Sequence, residues 1–374
     1  MLLAAALMFR LLISTYVEGH STDIMCFKSW AIRLAQLGLQ GFYSPDYFAD
    51  YPPGYMLVLF VIGKLASLFG LEQASGAFTL LIKLPAIFAD ILLGWVVYSY
   101  ARERISKSAA LVLSSLVALS PVIILVSALW GQIDSVFTLF MLLSLIFVYR
   151  KKYYTGAFLY AVCMVIKPQA FLIAPVYMCA YISEKNPKML AKSLIIGIST
   201  VLLAALPFTQ NFNFMWLVDK YSATLKSYPY VTVNAYNLYA LLGYNWKELS
   251  HKVFGLSISV WSYFVIIGVT IGSIWFYIKS KEPAKLFYTA YLIITVMFTF
   301  GAKMHERYLF PALFLLIMTF IFTGDKRILF LFIAQSAAHY LNVADVFMDD
   351  LHKTGISTGV VAVSSALHIV AAFY

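Results

Sequence analysis

Long apolar runs recur along nearly the whole chain, and they constrain its fold more than any other feature. Most of the runs hold about 16 to 26 residues, which is enough, or nearly enough, to cross a bilayer as a helix. Only 12% of the 374 residues are charged, whereas soluble proteins average roughly 25%. The sequence therefore predicts an all-α fold: a polytopic transmembrane helix bundle that forms a single domain over residues 1–374.

The apolar runs predict about 11 to 13 spans. They lie near residues 1–16, 77–101, 108–128, 134–149, 154–167, 169–183, 189–208, 256–278, 285–300, 308–323, 327–347 and 357–374. The first run lacks a preceding basic stretch and a small-residue cleavage site, so we expect no cleavable signal peptide.

Lysine and arginine are concentrated in one set of short loops between the predicted spans. These basic loops lie at 102–107, 150–152, 185–192, 279–285 and 326–327. Short basic loops stay in the cytoplasm during membrane insertion, which fixes the predicted orientation of the bundle. The net charge of +10 therefore serves membrane topology, and we expect no nucleic-acid partner.

Residues 54–70 are apolar enough to span, but a crossing there would move every later basic loop to the outside. We therefore interpret this segment as an interfacial helix within a first external loop, 17–76. The same side then carries a second large external loop and three short polar turns, at 209–255, 130–135, 167–169 and 303–308. Three polar turns beside two long loops predict a pocket on the external side.

The turn at residues 303–308, which we call the basic turn, places four ionisable side chains beside an apolar run: Lys303, His305, Glu306 and Arg307. Ionisable groups next to a membrane core are costly, which favours a functional site. Lysine, histidine and arginine together suit an anionic ligand such as a phosphate. Glu306 is better suited to orient a cation than to act as a base. The alternative is a solvated loop at the interface.

Asp23 follows the first predicted span and starts an amphipathic stretch. It is our candidate general base, because a carboxylate at the membrane surface can take a proton from a sugar hydroxyl. The alternative is a structural role, in which Ser21 or Asp23 caps the helix.

Two further turns carry candidate sugar or acceptor contacts. Trp130, Gln132 and Asp134 combine an aromatic face with polar groups, although Asp134 could instead cap the following helix. Pro168 breaks the next helix and leaves Lys167 at its outer end, where it could bind a phosphate or extend toward water. Gln169 beside it is a candidate sugar contact.

The two large loops supply the remaining candidates. Tyr51 lies in an aromatic, acidic segment, 46–54, that we expect to shape a loop over the pocket. Asn234 and Asn237 are three residues apart, so they could share one helical face and bind a sugar. Packing within the loop is the equal alternative for both amides.

Several motifs that define other enzyme classes are absent. The chain has no Walker phosphate-binding loop, no His-Glu-x-x-His metal signature and no Gly-x-Ser-x-Gly nucleophile elbow. Cys26, Cys163 and Cys179 show no metal or redox spacing, so we expect free thiols. We predict no cofactor and no metal site, although Asp23 and Asp134 leave a divalent ion open.

Seven motifs in order resemble the GT-C superfamily of membrane glycosyltransferases. They are Gly19-His20-Ser-Thr-Asp23, Asp50-Tyr-Pro-Pro-Gly-Tyr55, Lys83-Leu-Pro85, Trp130-Gly-Gln-Ile-Asp-Ser135, Lys167-Pro-Gln169, Asn234-Ala-Tyr-Asn237 and Met304-His-Glu-Arg-Tyr308. More narrowly, the chain resembles the prokaryotic membrane proteins related to the GPI-anchor mannosyltransferases. The resemblance extends from Arg10 to about residue 320.

The resemblance implies a polyprenyl-phosphate-linked sugar donor and an active site on the extracytoplasmic face, with Asp23 as the base. It favours mannose as the sugar, which is passed to a hydroxyl of a glycan, glycolipid or protein. As our own hypothesis of mechanism, transfer occurs with inversion, and Arg307, His305 and Lys303, then Lys167, bind the donor phosphate because fixed cations stabilise its growing negative charge. We expect a monomer in the plasma membrane of a prokaryote, or in the endoplasmic reticulum membrane of a eukaryote.

The rival class is a polytopic transporter or a lipid-linked sugar flippase. Arg10, Lys83 and Asp90 lie inside predicted spans and would then relay a substrate or an ion. We expect them instead to be structural and partnered within the bundle, because the charges concentrate on one face rather than at the midplane.

Overall fold

The computed structural model describes all residues from 1 to 374 and is almost entirely helical. The helices are α1 (Leu2–Ser14), α2 (Ser21–Leu37), α3 (Pro53–Leu68), α4 (Gly76–Ala101), α5 (Lys107–Ala118), α6 (Pro121–Ile124), α7 (Asp134–Tyr149), α8 (Tyr153–Ile166), α9 (Ala174–Ser183), α10 (Pro187–Ala205), α11 (Met215–Lys226), α12 (Leu238–Leu241), α13 (Ile258–Lys279), α14 (Lys285–Phe300), α15 (Phe310–Thr323), α16 (Lys326–His352) and α17 (Thr358–Phe373). A π-helical turn, Leu125–Trp130, extends α6, and 3₁₀ turns cover Pro168–Ile173 and Leu206–Phe208.

Four very short strands complete the fold, three in predicted external loops or turns and one, β3, directly after the second external loop. β1 (Thr232–Val233) pairs in parallel with β4 (Met304–His305), so the second external loop is joined to the basic turn. β2 (Lys252–Val253) and β3 (Leu256–Ser257) form a small antiparallel hairpin.

A helix lies at every predicted span, which confirms the predicted polytopic helical fold. Four of these helices are long and apolar enough to cross a bilayer alone: Gly76–Ala101, Pro187–Phe208, Ile258–Lys279 and Lys326–His352. The bent pair Lys107–Ala118 and Pro121–Trp130 provides a fifth such segment if it counts as one span. Eight apolar helices of 10–17 residues are shorter than this criterion requires, so the number of spans stays a prediction.

The predicted span at 108–128 is not one straight helix, because the chain bends by 43° between α5 and α6. Pro121 causes the break: its ring excludes the preceding residue from the helical region, and Ser120 is extended with φ −61° and ψ 123°. The π-helical turn after the bend ends at Gly131, whose φ of +91° suits glycine. A Cβ atom there would lie 2.5 Å from the Ile24 side chain, so Gly131 allows this segment to pack closely on α2.

The first external loop contains two helices that cross in close contact. A Cβ atom on Gly63 of α3 would lie 2.0 Å from the carbonyl oxygen of Ala31 on α2, so only glycine fits there. Gly54 approaches α8 in the same way, 2.6 Å from the carbonyl oxygen of Val165. The predicted helix at 54–70 is thus confirmed as α3, while its position at the interface stays a prediction.

The core is centred on α15, where 11 of 14 residues are buried. This helix packs between α14, α16 and α7. It begins two residues after the basic turn, so the basic turn is anchored to the most deeply buried helix of the bundle.

The charged residues inside the predicted spans are partnered, as expected. Arg10 Nε lies 2.8 Å from Asp90 Oδ2, and both side chains are fully buried. Ser127 and Ser135 donate hydrogen bonds to the same carboxylate. Lys83 Nζ donates to the backbone oxygen of Val17 at 2.7 Å.

The basic loops contact one another, which supports a common side for them. Arg150 lies 3.6 Å from Glu103, and Lys151 lies 3.6 Å from Glu184. The polar turns and large loops meet elsewhere, around the cavity described below. The two predicted sets of loops therefore occupy separate regions, while the side that faces outward stays a prediction.

Candidate active site

Asp23 lies in the first turn of α2 and is held there by the π-helical turn after α6. Trp130 Nε1 donates a hydrogen bond of 2.6 Å to Asp23 Oδ2. The His20 ring stacks on Trp130 with ring centroids 4.5 Å apart, and the His20 backbone N–H donates to the Trp130 carbonyl oxygen. Gly19 has a φ of +119°, and a Cβ atom there would lie 2.6 Å from that oxygen. Gly19, His20 and Asp23 therefore all approach Trp130, and their order along the chain fits these three contacts.

Arg307 is the charge centre of the site. Its guanidinium lies 3.5 Å from Asp23 Oδ2 and 3.7 Å from Asp134 Oδ2, and it forms an ion pair with Glu306. It also lies 5.1 Å from the centre of the Trp130 ring, which is within the range of a cation–π contact. One arginine on the cavity wall thus contacts three carboxylates.

The basic turn owes its shape to backbone contacts on both sides. Lys303 has a positive φ of +63°, and its N–H donates to the carbonyl oxygen of Val231. The β1–β4 pair follows directly, and α15 then begins at Phe310. A turn fixed at both ends presents Arg307 and His305 in a defined direction, as a preorganised anion site requires.

Asp134 and Lys167 form a second buried pair beside Arg307. Lys167 Nζ lies 2.8 Å from Asp134 Oδ1, and each side chain is at most 3% exposed. Lys167 Nζ also lies 5.6 Å from the centre of the Tyr51 ring. The Tyr51 hydroxyl in turn donates to Gln132 Oε1 at 3.1 Å. The predicted turns at 130–135 and 167–169 thus meet the first external loop here.

A cavity of about 410 Å³ opens onto these groups. Part of its wall is polar and includes Asp23, Asp50, Lys167, Lys303 and Arg307. Another part is apolar and is contributed by the 3₁₀ turn after Lys167 and by α9, α13 and α14, through Phe171, Leu172, Pro175, Ile266, Val269, Ile293 and Met297. The cavity can therefore accept a ligand that has both a charged end and an apolar chain.

Burial and charge act on the ionisable groups of this wall in opposite directions. Burial disfavours ionised Asp23, but the Arg307 guanidinium and His20 outweigh it and lower the Asp23 pKa to about 2. Burial raises the pKa of Asp50, and the negative charge of Asp23 adds to this shift. Burial, together with the charge of Arg307, lowers the His305 pKa to about 3. His305 is therefore neutral at physiological pH, which differs from the expected cationic role but leaves it able to donate a hydrogen bond.

The structure brings most of the predicted site residues to one place. Seven of them line the cavity: Asp23, Tyr51, Lys167, Gln169, Lys303, His305 and Arg307. Four others lie directly behind the wall, where Trp130, Gln132, Asp134 and Glu306 are buried and contact the lining residues. These four support the lining groups and do not form the cavity surface.

Asn234 and Asn237 do not line the cavity, and the predicted helical face that they share is wrong. Helix α12 begins only after Asn237, whose side chain caps it by accepting from the N–H groups of Tyr239 and Ala240. Asn234 has a positive φ of +57°, and its side-chain oxygen accepts bonds from Asn245 and Trp246. The Asn234 side chain bonds within its own loop, which was the alternative left open by the sequence, and Asn237 Nδ2 donates to the Phe298 carbonyl oxygen on α14.

Two features of the site were not predicted. Asp50 lines the cavity but was assigned only to a loop-shaping segment, although an aspartate before two prolines at an external loop was a usable signal. Asp350, at the far end of the chain, bonds to Ser21 beside Asp23. No local pattern in the sequence could indicate a contact between residues so far apart.

The chain is similar to known proteins in part of its sequence and in its whole fold. No protein-family model matches it. A bovine (Bos taurus) protein, dolichyl pyrophosphate Glc1Man9GlcNAc2 alpha-1,3-glucosyltransferase, is 26% identical over an alignment of 194 residues that covers 47% of this chain. The match covers 36% of that relative, so this chain spans about a third of its length.

The crystal structure of ArnT from Cupriavidus metallidurans bound to undecaprenyl phosphate is similar across 99% of this chain and 75% of that protein. The TM-score is 0.57 and the sequence identity is 12%, so this likeness concerns the fold. It shows that this chain and ArnT share a polytopic helical fold.

Proposed function

We propose that this protein is a membrane glycosyltransferase that moves a hexose from a polyprenyl-phosphate donor to an acceptor hydroxyl. One observation carries the proposal: a single cavity holds a carboxylate and an arginine 3.5 Å apart and continues along apolar helices. The cations suit the donor phosphate, and the apolar wall suits the polyprenyl chain. The named activity of the bovine relative and the lipid named with ArnT agree with this donor class.

In the proposed reaction, the acceptor oxygen attacks the anomeric carbon on the face opposite the phosphate. Asp23 takes the hydroxyl proton as the new carbon–oxygen bond forms. The bond from the anomeric carbon to the phosphate oxygen breaks, and its electron pair leaves with polyprenyl phosphate. The configuration at the anomeric carbon is thereby inverted.

Arg307 links donor binding to the strength of the base. Its charge lowers the pKa of Asp23 to about 2, which makes Asp23 a weak proton acceptor. A donor phosphate that binds Arg307 takes up part of that charge. The proton affinity of Asp23 then rises when the donor is bound, and the same guanidinium stabilises the negative charge that develops on the leaving phosphate.

Lys303 and Lys167 have different roles in this proposal. Lys303 lines the cavity and its Nζ donates to the Leu225 carbonyl oxygen, so it can reach a phosphate from the loop side. Lys167 is paired with Asp134 and acts mainly by holding that carboxylate toward Arg307. Gln169 and Tyr51 are the candidate sugar contacts that reach the cavity surface.

The sugar and the place of reaction are part of the proposal. The sequence motifs favour mannose, whereas the bovine relative is named for glucose transfer, so a test must offer both donors. The positive-inside rule places the cavity on the extracytoplasmic side. A glycan or glycolipid acceptor can reach the site there, while the donor tail stays in the bilayer.

The test uses purified protein in detergent with polyprenyl-phosphate mannose or polyprenyl-phosphate glucose, and it follows the release of polyprenyl phosphate. We expect release with one donor, and a loss on the order of 10²–10⁴ in Asp23→Asn. We expect a loss of about 10²–10³ in Arg307→Ala. Asp46→Asn, an exposed change in the same external loop, is the matched control and should retain full activity.

The outcomes separate the parts of the proposal. Full turnover in Asp23→Asn would assign the base to another carboxylate, and Asp50 would be examined next. No release from either donor, in the presence of a mixed glycan and glycolipid acceptor extract, would contradict the proposed donor class.

A further inference from the structure

The outer end of α16 contacts several parts of the site, although it lies beyond the stretch that carries the family motifs. The helix runs to His352, one turn past the predicted end at residue 347. This added turn carries Asp349 and Asp350, which point to different partners. Asp349 accepts from the Gly355 N–H of its own C-terminal loop, whereas Asp350 contacts α2.

Asp350 completes the start of the helix that carries Asp23. Helix α2 has no capping bond from its own N-cap residue, His20, although the first N–H groups of a helix need acceptors. Asp350 Oδ2 accepts from the Ser21 N–H at 2.7 Å, and Asp350 Oδ1 accepts from the Ser21 hydroxyl at 2.6 Å. A carboxylate from the other end of the chain thus supplies the missing cap, two residues before Asp23.

A second contact from the same turn of α16 reaches Asp23 through Trp130. The Phe347 ring packs against the Trp130 ring with centroids 5.5 Å apart. Trp130 is fully buried between Phe347 and His20, and its Nε1 bonds directly to Asp23. Helix α16 therefore holds both Trp130, which bonds to Asp23, and Ser21, which lies two residues before Asp23.

The preceding turns of α16 bond to the loop that follows β1. Asn342 Oδ1 accepts from the Tyr236 N–H at 3.0 Å, and Asn342 Nδ2 donates to the Asn234 carbonyl oxygen at 2.7 Å. Asp345 accepts from the Tyr236 hydroxyl. This loop continues from β1, which pairs with β4 of the basic turn. One helix therefore sets the distance between the base and the Arg307 segment.

We propose that the outer end of α16 is the positioning element of the active site, with Asp350 as the positioning residue that fixes Asp23 through Ser21. The inference deepens the proposed function and rests on it. Asp350 does not contact the reacting atoms in this role; it holds the first turn of α2 so that Asp23 faces the cavity beside Arg307. Small displacements of a catalytic group lower the rate of the chemical step more than they change substrate binding.

The test compares Asp350→Ala with Asp349→Ala, which removes a neighbouring helix-end carboxylate that bonds only to its own loop. We expect kcat for donor turnover to fall about tenfold in Asp350→Ala while KM for the donor stays within about twofold. Asp349→Ala should keep the wild-type kcat. Thermal unfolding in detergent is measured for both variants, and similar midpoints exclude a general loss of stability.

A double-variant comparison tests whether Asp350 acts through Ser21. Ser21→Ala removes only the hydroxyl bond, so we expect a fall in kcat of about twofold. In the variant with both changes, kcat should equal that of Asp350→Ala alone, because the Ser21 hydroxyl acts only through its bond to Asp350. A product of the two losses, or a wild-type kcat in Asp350→Ala, would overturn the proposal.

Hydrogen–deuterium exchange of the peptide that covers residues 20–27 gives a readout that does not depend on activity. Asp350→Ala should exchange faster there than the wild type, and Asp349→Ala should not. Faster exchange without any donor turnover in the wild-type protein would keep the positioning role and reject the proposed donor. Unchanged exchange in Asp350→Ala would reject the positioning role whatever the activity.

Discussion

Arg10 and Arg307 both pair with aspartate in this chain, yet their surroundings differ. The Arg10–Asp90 pair is fully buried, and serines occupy both oxygens of Asp90 in addition to the arginine. Arg307 keeps 11% of its side chain exposed and lies on the wall of a cavity. The first arginine has one carboxylate partner, whereas the second is shared by three.

This difference suggests how a structural ion pair and a reactive site can be told apart. Both oxygens of Asp90 are bonded and the side chain is fully buried, so the Arg10–Asp90 pair joins α1 to α4 away from any ligand. Around Arg307, the charge is distributed over Asp23, Asp134 and Glu306, and none of these pairs is exclusive. A phosphate can therefore bind the Arg307 guanidinium while other carboxylates still contact it, so that no buried charge is left without a partner.

The largest expected effect tests whether the Arg10–Asp90 pair is structural. Asp90→Asn leaves the Arg10 charge buried without its counter-ion, so we expect a loss of about 3–5 kcal/mol in the free energy of unfolding. Thermal unfolding and purification yield in detergent measure this loss. Donor turnover per folded molecule should be unchanged.

Ser114→Ala provides the control for Asp90→Asn, because it removes one buried hydrogen bond from Ser114 to the Gly94 carbonyl oxygen. It should cost only about 1 kcal/mol. A stable Asp90→Asn protein without turnover would move the Arg10–Asp90 pair into the reaction and would favour the rival transport mechanism.

The next effect tests whether Arg307 is functional. Arg307→Lys keeps the positive charge but loses the planar fork that can bind two phosphate oxygens and several carboxylates. We expect kcat for donor turnover to fall about 10- to 100-fold with little change in the unfolding midpoint. Arg10→Lys, the matched change in the other pair, should lower stability and leave kcat unchanged. If both variants changed kcat and stability to the same extent, Arg10 could not be called structural and Arg307 functional.

The helices could be predicted from the sequence because each one is encoded locally. Apolar runs bounded by polar turns gave the spans, and the excess of basic residues gave two separate sets of loops, which the structure keeps apart. The bend after α5 was also encoded locally, by Pro121, but it was overlooked inside a continuous apolar run. The bend matters because it delivers Trp130 to Asp23.

The site could be predicted only in part, because its residues come from distant segments. Motif resemblance identified Asp23, the charges of the polar turns indicated Lys167 and Arg307, and the structure places all three on one cavity. It could not distinguish lining residues from supporting ones such as Gln132, nor recognise that Asn237 caps a helix. The cap from Asp350 joins residues 329 positions apart, and such a pair has no signature in a single sequence.

A smaller effect concerns pH and distinguishes the two carboxylates of the cavity. The Asp23 pKa is lowered to about 2, so this group stays ionised in the free enzyme throughout a usual assay range. Burial raises the pKa of Asp50, so Asp50 is protonated first as the pH falls. If Asp50 accepts hydrogen bonds from sugar hydroxyls, kcat/KM falls with decreasing pH through its raised pKa.

Asp50→Asn tests this assignment of the acid limb. We expect a pH-independent kcat/KM on the acid side, at a level about tenfold below the wild-type plateau, because an amide accepts fewer hydrogen bonds than a carboxylate. The pH profile of donor turnover measures it. An unchanged acid limb in Asp50→Asn would assign the limb to His20, whose pKa is lowered by burial, and His20→Gln would then remove it.

The smallest expected effect is that of chelation by EDTA. Arg307 lies between Asp23 and Asp134, at 3.5 and 3.7 Å, and so occupies the position that a divalent ion shared by these two carboxylates would need. Because the guanidinium already balances their charge, we expect donor turnover to change by less than about twofold after EDTA treatment. A large loss that Mg²⁺ or Mn²⁺ restores would contradict this expectation. It would imply that donor binding moves Arg307 toward the phosphate and opens a place for an ion between the carboxylates, and the same chelation test on Arg307→Lys would then show a stronger metal dependence.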